Sequence, residues 1–295
     1  MAVVTLAGCS AGQVKKTPAL VTQEAASVKE LRLPFDALEL SKEENVRVQK
    51  ATMHLLGRCM NSMGLDLRTP RVHPSKYPKN ATVLGWLGAQ KVEKYGYRGP
   101  ADFAAEMSAA ARRESRPIVV SAQQMPVFEG TVSSFRGKPV PQGGCDGQMR
   151  RRLNGGDTRI AVPGGDPSVV AERALQALEQ QASDRARSDD RFQLVVSAWH
   201  SCMAKRGYEY ADPDAAQGDP RWAEAAGKHV SALEKATAVA DRDCRADVNF
   251  SGVLKDLITT YETLIIDSKD SPTAALASLL RTRARNAAKV LTTVP

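Results

Sequence analysis

Aromatic residues are scarce here. Phe, Tyr and Trp make up 5% of 295 residues. The chain is basic, with a net charge of +8 and a pI near 9.3, but its Lys and Arg are spread out and lack interleaved aromatics. That combination argues against a nucleic-acid groove, which pairs a basic stripe with stacking rings. No apolar run approaches the ~20 residues that a helix needs to span a bilayer. Histidine is rare too: His54, His73, His200 and His229 form no His-x-x-x-His or His-Glu-x-x-His pair. This removes the linear zinc-protease signature. No Cys-x-x-Cys is present, which argues against structural zinc. No Gly-x-x-x-x-Gly-Lys-Ser/Thr or Gly-x-Gly-x-x-Gly loop is present to cradle a phosphate. Asp212-x-Asp214 lacks the remainder of a calcium-loop frame. The expectation is therefore a protein that is not an enzyme, with no catalytic residue, no cofactor and no metal. A hydrolase whose groups meet only in space stays as the outlying alternative.

What is present starts at the N-terminus. Met1 to Gly8 is apolar and leads into Cys9-Ser10. Leu6-Ala7-Gly8-Cys9 looks like a bacterial lipobox, in which a peptidase cuts before the cysteine and the thiol is acylated. A positively charged segment before the apolar run is missing, so the native start is expected upstream of Met1. Residues 1–8 then read as a signal-peptide remnant, and residues 9–40 as the lipidated Cys9 and a tether. Leu33 and Phe35 are expected to dock on the folded part. One acyl chain gives limited membrane affinity, and a second makes attachment stable.

Without Cys9, four cysteines remain: Cys59, Cys145, Cys202 and Cys244. An even set in an exported protein reads as disulfides. Three pairings are possible. The favoured one is Cys59–Cys145 with Cys202–Cys244, because Cys59 and Cys202 head copies of one pattern. Cys59 to Pro70 and Cys202 to Pro213 both read Cys-Met-x-x-x-Gly-apolar-x-apolar-x-x-Pro, 143 positions apart. Apolar residues recur every three or four positions upstream of each, which is one face of an amphipathic helix. The glycine suits a helix stop, because it enters the left-handed region without a Cβ clash. The closed loops of 86 and 42 residues would each contribute roughly 4 kcal/mol by chain entropy.

The fold class is mainly α: two related helical halves, 41–156 and 166–295, each stapled by a disulfide, with long irregular loops in the first. Ser41 and Glu44 form a capping box that opens a helix over about 42–63. Residues 68–80, with three prolines, read as loop, and 82–97 is ambiguous. Pro100 is expected to open a helix to about 114, Ile118 to Val120 to form a short strand, and Gln148 to Leu153 a basic helix. Arg150, Arg151 and Arg152 there read as a solvated face. Glycine-rich 154–167 reads as the linker between halves. The second half predicts helices over 167–186 and 190–206. A long one follows from Asp219-Pro220 through Trp222, Ala226, His229, Leu233 and Cys244, antiparallel to the Cys202 helix. Two more helices then carry Leu254 to Ile265 and Leu276 to Leu291.

With Leu6-Ala7-Gly8-Cys9, the twin Cys-Met-x-x-x-Gly units, Gly143-Gly144-Cys145 and Ala238 to Cys244, the chain resembles uncharacterised exported lipoproteins of actinobacteria. The resemblance covers most of residues 41–250. It implies an extracytoplasmic, lipid-anchored location and disulfides, and it carries no catalytic residue. The expected role is non-catalytic binding or accessory work beside a membrane transport or envelope system. The alternative is a surface receptor or immunity-type protein that captures a small molecule or peptide. The expected partners are membrane lipid through acylated Cys9 and a membrane complex or anionic wall polymer, not nucleic acid.

Overall fold

The computed structural model describes residues 31–156, 171–224 and 230–292. Cys9, most of the tether, residues 157–167 of the linker, Ala226 and His229 lie outside the described residues. A short 3-10 turn, Pro34–Leu38, leads to α1 (Lys42–Ser62). Then follow α2 (Val92–Tyr95), a 3-10 turn at Gly96–Arg98, α3 (Phe103–Ala111) and α4 (Met125–Glu129). A two-residue hairpin, β1 (Ser134–Phe135) and β2 (Lys138–Pro139), precedes α5 (Gly144–Asn154). Next come α6 (Ala171–Arg187), α7 (Asp190–Lys205), α8 (Pro213–Gln217) and α9 (Pro220–Glu224). The chain closes with α10 (Ala232–Asp247), α11 (Phe250–Ile266) and α12 (Thr273–Thr292). The protein is mainly helical. Among the described residues no helix is long and apolar enough to cross a membrane.

Local chemistry explains most helix ends. The Ser41 hydroxyl accepts from Glu44 N–H at 3.2 Å, and the Glu44 carboxylate accepts from Ser41 N–H at 2.9 Å, so α1 opens on a full capping box. Its stop explains the repeated pattern. Gly64 lies at φ +72°, Leu65 N–H bonds to Met60 C=O at 3.0 Å, and Gly64 N–H bonds to Asn61 C=O at 2.9 Å. At α7, Gly207 lies at φ +85°, with Tyr208 N–H to Met203 C=O and Gly207 N–H to Ala204 C=O, both at 3.0 Å. These are the paired bonds of a left-handed helix stop, whose last apolar residue packs back on the helix. Met60 and Leu65 share one core cluster, and Met203 and Tyr208 share another. Methionine, glycine and the following apolar residue therefore belong to the stop, and the cysteine adds a bond one position before it.

The disulfides join Cys59 to Cys145 and Cys202 to Cys244, with Cα–Cα distances of 5.6 and 5.7 Å. These are the favoured pairings. The two sequence halves do not build two cores, however. α12 runs along α1 and α5, and α2 with the turn after it packs on α10. Leu84, Phe103 and Met107 share a core with Phe192, Phe250 and Leu257. Phe35 is fully buried against Leu178, Ile265 and Leu276, and Leu33 is buried as well, so the end of the tether docks. The two bridges also differ in build. Cys145 lies in the first turn of α5, whereas Cys244 lies in the last turn of α10.

Four local expectations are corrected. Trp199 bonds to Asp241, Cys202 to Cys244 and Arg206 to Asp247, so both chains advance together and α7 meets α10 running in the same sense, not antiparallel. The long helix expected through Trp222 and Cys244 is broken, because Ser231 is extended and caps a new helix by accepting from Glu234 N–H at 3.0 Å. Leu233 is thereby turned out, 48% exposed. Ile118 to Val120 form no strand and have no strand neighbour: Val119 is 81% exposed, while Ile118 and Val120 pack against the core cluster that contains Leu56 and Cys59. The helix expected over 100–114 spans only Phe103–Ala111. Arg113 and Glu114 after it are left-handed, at φ 53° and 65°.

Candidate functional site

The residues singled out by sequence do not converge. Cys59, Cys145 and Cys244 are buried within their bridges, and Cys202 is partly buried. His54 and His200 lie apart from each other on α1 and α7. His73 is half-exposed, with Nε2 3.7 Å from the Glu106 carboxylate, which Arg116 holds more closely at 2.9 Å. Arg150 pairs with Asp146 at 2.6 Å, one turn away on α5, and Arg151 donates to Gln142 C=O at 2.6 Å. Asp212 caps α8 by accepting from Ala215 N–H at 2.8 Å. Among the described residues no group of three or more His, Cys, Asp or Glu could hold a metal ion.

What does form is a cleft of about 860 Å³ between α3, α6 and the 82–98 stretch, floored by parts of α10 and α11. That is within the ~300–1,000 Å³ of small-ligand sites. Two kinds of wall face it. Trp86, Leu87, Tyr97, Phe103, Met107 and Phe250 make it apolar and aromatic. Gln176, Glu179, Gln180, Ser183 and Arg187 present a polar stripe from α6. Their spacing of three and four residues is one face of a helix. The other face carries Ala174, Leu178 and Ala182 into the core.

Most charges near the cleft hold one another. Lys79 Nζ lies 3.0 Å from both Asp36 and Glu179 and also bonds Glu39. Arg113 Nη2 lies 2.7 Å from Glu39 and 2.6 Å from Glu179. Burial pulls the Lys79 ammonium down, but Glu179 and Glu39 outweigh it and leave it raised. Burial pushes Glu179 up, and Arg113 and Lys79 more than reverse that. The more enclosed Glu39 stays raised, by burial, against the same two cations.

A second network lies under the floor. Asp241 is fully buried and accepts from Trp199 Nε1 at 2.8 Å, Arg245 Nε at 2.7 Å, Arg245 Nη2 at 2.9 Å and Tyr97 Oη at 3.1 Å. Arg245 Nη1 donates to Gly85 C=O at 2.9 Å. Burial, then the charge of Asp241, raises the Tyr97 phenol.

Glu262 stands apart. It lines the cleft while only 1% exposed, in the interior of α11. Oε2 accepts from Phe35 N–H at 2.9 Å. Oε1 has no hydrogen-bond donor among the described residues. Burial pushes the carboxyl up to about 7, with Glu179 and Asp36 adding to the shift and the Phe35 N–H and Lys79 opposing it. Sequence reading missed it, although the signal was there: Glu262 falls four after Ile258 and three before Ile265, on the buried stripe. Leu264, in the same helix, is 56% exposed.

No family model matches the chain, and no curated protein and no solved structure matches it.

Proposed function

We propose that this protein is a lipid-anchored cell-envelope binding protein, without catalytic activity, that holds a small molecule or peptide in the cleft between α3 and α6. The cleft carries this reading. It combines ligand-sized volume, an aromatic wall and a polar helix stripe, as binding sites do. It favours ligand capture over an accessory role exercised through protein contacts alone. Lys79 and Arg245 beside it are committed to carboxylates. The extracytoplasmic location rests on Leu6-Ala7-Gly8-Cys9 and fits the two disulfides, which persist in oxidising compartments. Membrane lipid is the first partner, through acylated Cys9.

The test has two parts. The full chain, expressed with its native leader, should fractionate with membranes, and Cys9→Ser should release it. The purified protein should show a rise in melting temperature that grows with ligand concentration, a stabilisation of about 2.7 kcal/mol at a hundredfold excess over Kd. Widening the apolar wall with Met107→Ala should reduce that rise. A Cys9→Ser protein that stays in the membrane fraction would remove the anchor from the proposal.

A further inference from the structure

Resting on that reading, we infer that the cleft binds a short peptide with free ends, its ammonium group at Glu262 and its carboxylate at Arg187. Three observations on separate elements carry this.

The first is an excess of carboxylate at one end. Among the described residues, Asp36, Glu39, Glu179 and Glu262 gather around Lys79 and Arg113. Both cations are engaged with the first three acids. Glu262 keeps a carboxylate oxygen without a donor among the described residues, at the cleft wall. A ligand ammonium would supply the missing donor and charge.

The second is the cation at the other end. Arg187 lines the same cleft, and its Nη2 donates to Val83 C=O at 3.1 Å. It has no acidic partner among the described residues. Glu262 lies close enough to Glu179 to feel its charge, and Glu179 and Arg187 lie two turns apart on α6, about 12 Å at 1.5 Å per residue. An extended chain of three or four residues covers about 10–14 Å.

The third is the wall between them. Ser183 is 5% exposed, and its hydroxyl makes no hydrogen bond among the described residues, though helical serines commonly bond back one turn. Gln180 flanks it, with its amide nitrogen bonded to Asp184 at 2.7 Å and its oxygen free to accept. Ser108 faces the cleft from α3. Hydroxyls and a carboxamide match the donor and acceptor that each peptide unit carries. Trp86, Phe103 and Met107 opposite them would take side chains.

The test is equilibrium dialysis of the full chain against randomised tri- and tetrapeptide libraries, read by mass spectrometry. The libraries are used with free ends, N-acetylated, or C-amidated. Free-ended peptides should be retained at least about tenfold better than either capped set, the loss expected for a charged hydrogen bond. Glu262→Gln keeps an acceptor for Phe35 N–H but removes the charge. It should erase the preference for a free N-terminus while leaving the C-terminal preference intact. Arg187→Gln should do the converse. Equal retention of capped and free peptides, or variants that leave both preferences unchanged, would overturn the inference. A thermal shift with neutral oligosaccharides and none with peptides would also overturn it, yet leave the binding-protein reading standing. No shift with any ligand class would remove both.

Discussion

The chain stops two helices in the same way and then sets different chemistry beside them. Around Cys59–Cys145 the neighbours are apolar: Leu56, Met60, Leu67, Val127 and Leu153 are all buried in one cluster. Around Cys202–Cys244 an apolar cluster of Trp199, Met203, Ala216 and Ala240 adjoins a polar stripe of α10. Glu234, Thr237, Asp241 and Arg245 are all buried there, and Trp199 gives its indole N–H to Asp241. The same six-residue pattern therefore specifies a helix end and a cross-link, and says nothing of what lies beside them. Apolar burial tolerates local change at a cost that scales with the atoms lost. A buried charged network fails as a unit, because removing one member strands the others.

The largest effects should come from the cross-links. Chain entropy assigns about 4.6 kcal/mol to the bridge closing 86 residues and about 3.9 kcal/mol to the one closing 42. Urea unfolding of the Cys59→Ala/Cys145→Ala and Cys202→Ala/Cys244→Ala double variants compares them. On entropy alone the first pair costs slightly more. If the second costs more, its bridge also positions the Asp241 network, and the contrast between the regions deepens.

Next comes the network itself. Asp241→Ala should cost about 3–5 kcal/mol, because the Arg245 guanidinium, 6% exposed, is left without its carboxylate. Met60→Ala in the apolar region should cost about 2–5 kcal/mol by cavity formation. Adding Arg245→Met to each separates the cases. It should recover part of the Asp241→Ala loss and none of the Met60→Ala loss. Simple additivity in both double variants would mean that the two regions do not differ in kind.

A third contrast sets Glu262 against those satisfied carboxylates. Its folded pKa, about 7, lies above an unfolded value near 4.5. Below about pH 4.5 both states hold the proton. As pH rises from there to about 7, the unfolded chain releases its proton first, so stability falls, and above 7 the loss is complete. Glu262→Gln does not titrate. Its stability gain over the parent should be small at pH 4, grow through that window, and reach up to about 3 kcal/mol above pH 7. A pH-independent difference would mean that Glu262 titrates alike in the folded and the unfolded chain.

Legibility in the sequence followed distance along the chain. The Ser41–Glu44 box and both glycine stops are bonds over three to five residues, and their spacing states them. The cysteine pairing was readable from the repeat. The direction in which α7 meets α10 was not, because only Trp199–Asp241 and Arg206–Asp247 reveal it. Tyr97 reaches Asp241 from 144 residues away, and Phe35 reaches Glu262 from 227, so no local pattern announces either bond. The polar stripe of α6 is visible as spacing. That it faces a cleft depends on α3 standing opposite, and that depends on the whole fold.

The smallest predicted effect returns to the shared stop. An alanine at Gly64 or Gly207 must hold a left-handed conformation, at roughly 1–2 kcal/mol. At Gly207 the added Cβ would meet nothing within 4 Å, so that cost should stand alone. At Gly64 it would lie 3.1 Å from Arg136 Nη1, whose guanidinium donates to Gly64 C=O at 3.0 Å. Arg136 must shift, and its bond to the stop weakens or breaks. Gly64→Ala should therefore cost more than Gly207→Ala by several tenths of a kcal/mol. In an Arg136→Ala background the two glycine substitutions should become equal. If the gap persists there, it lies in the helix ends themselves, and the two stops are less alike than their hydrogen bonds indicate.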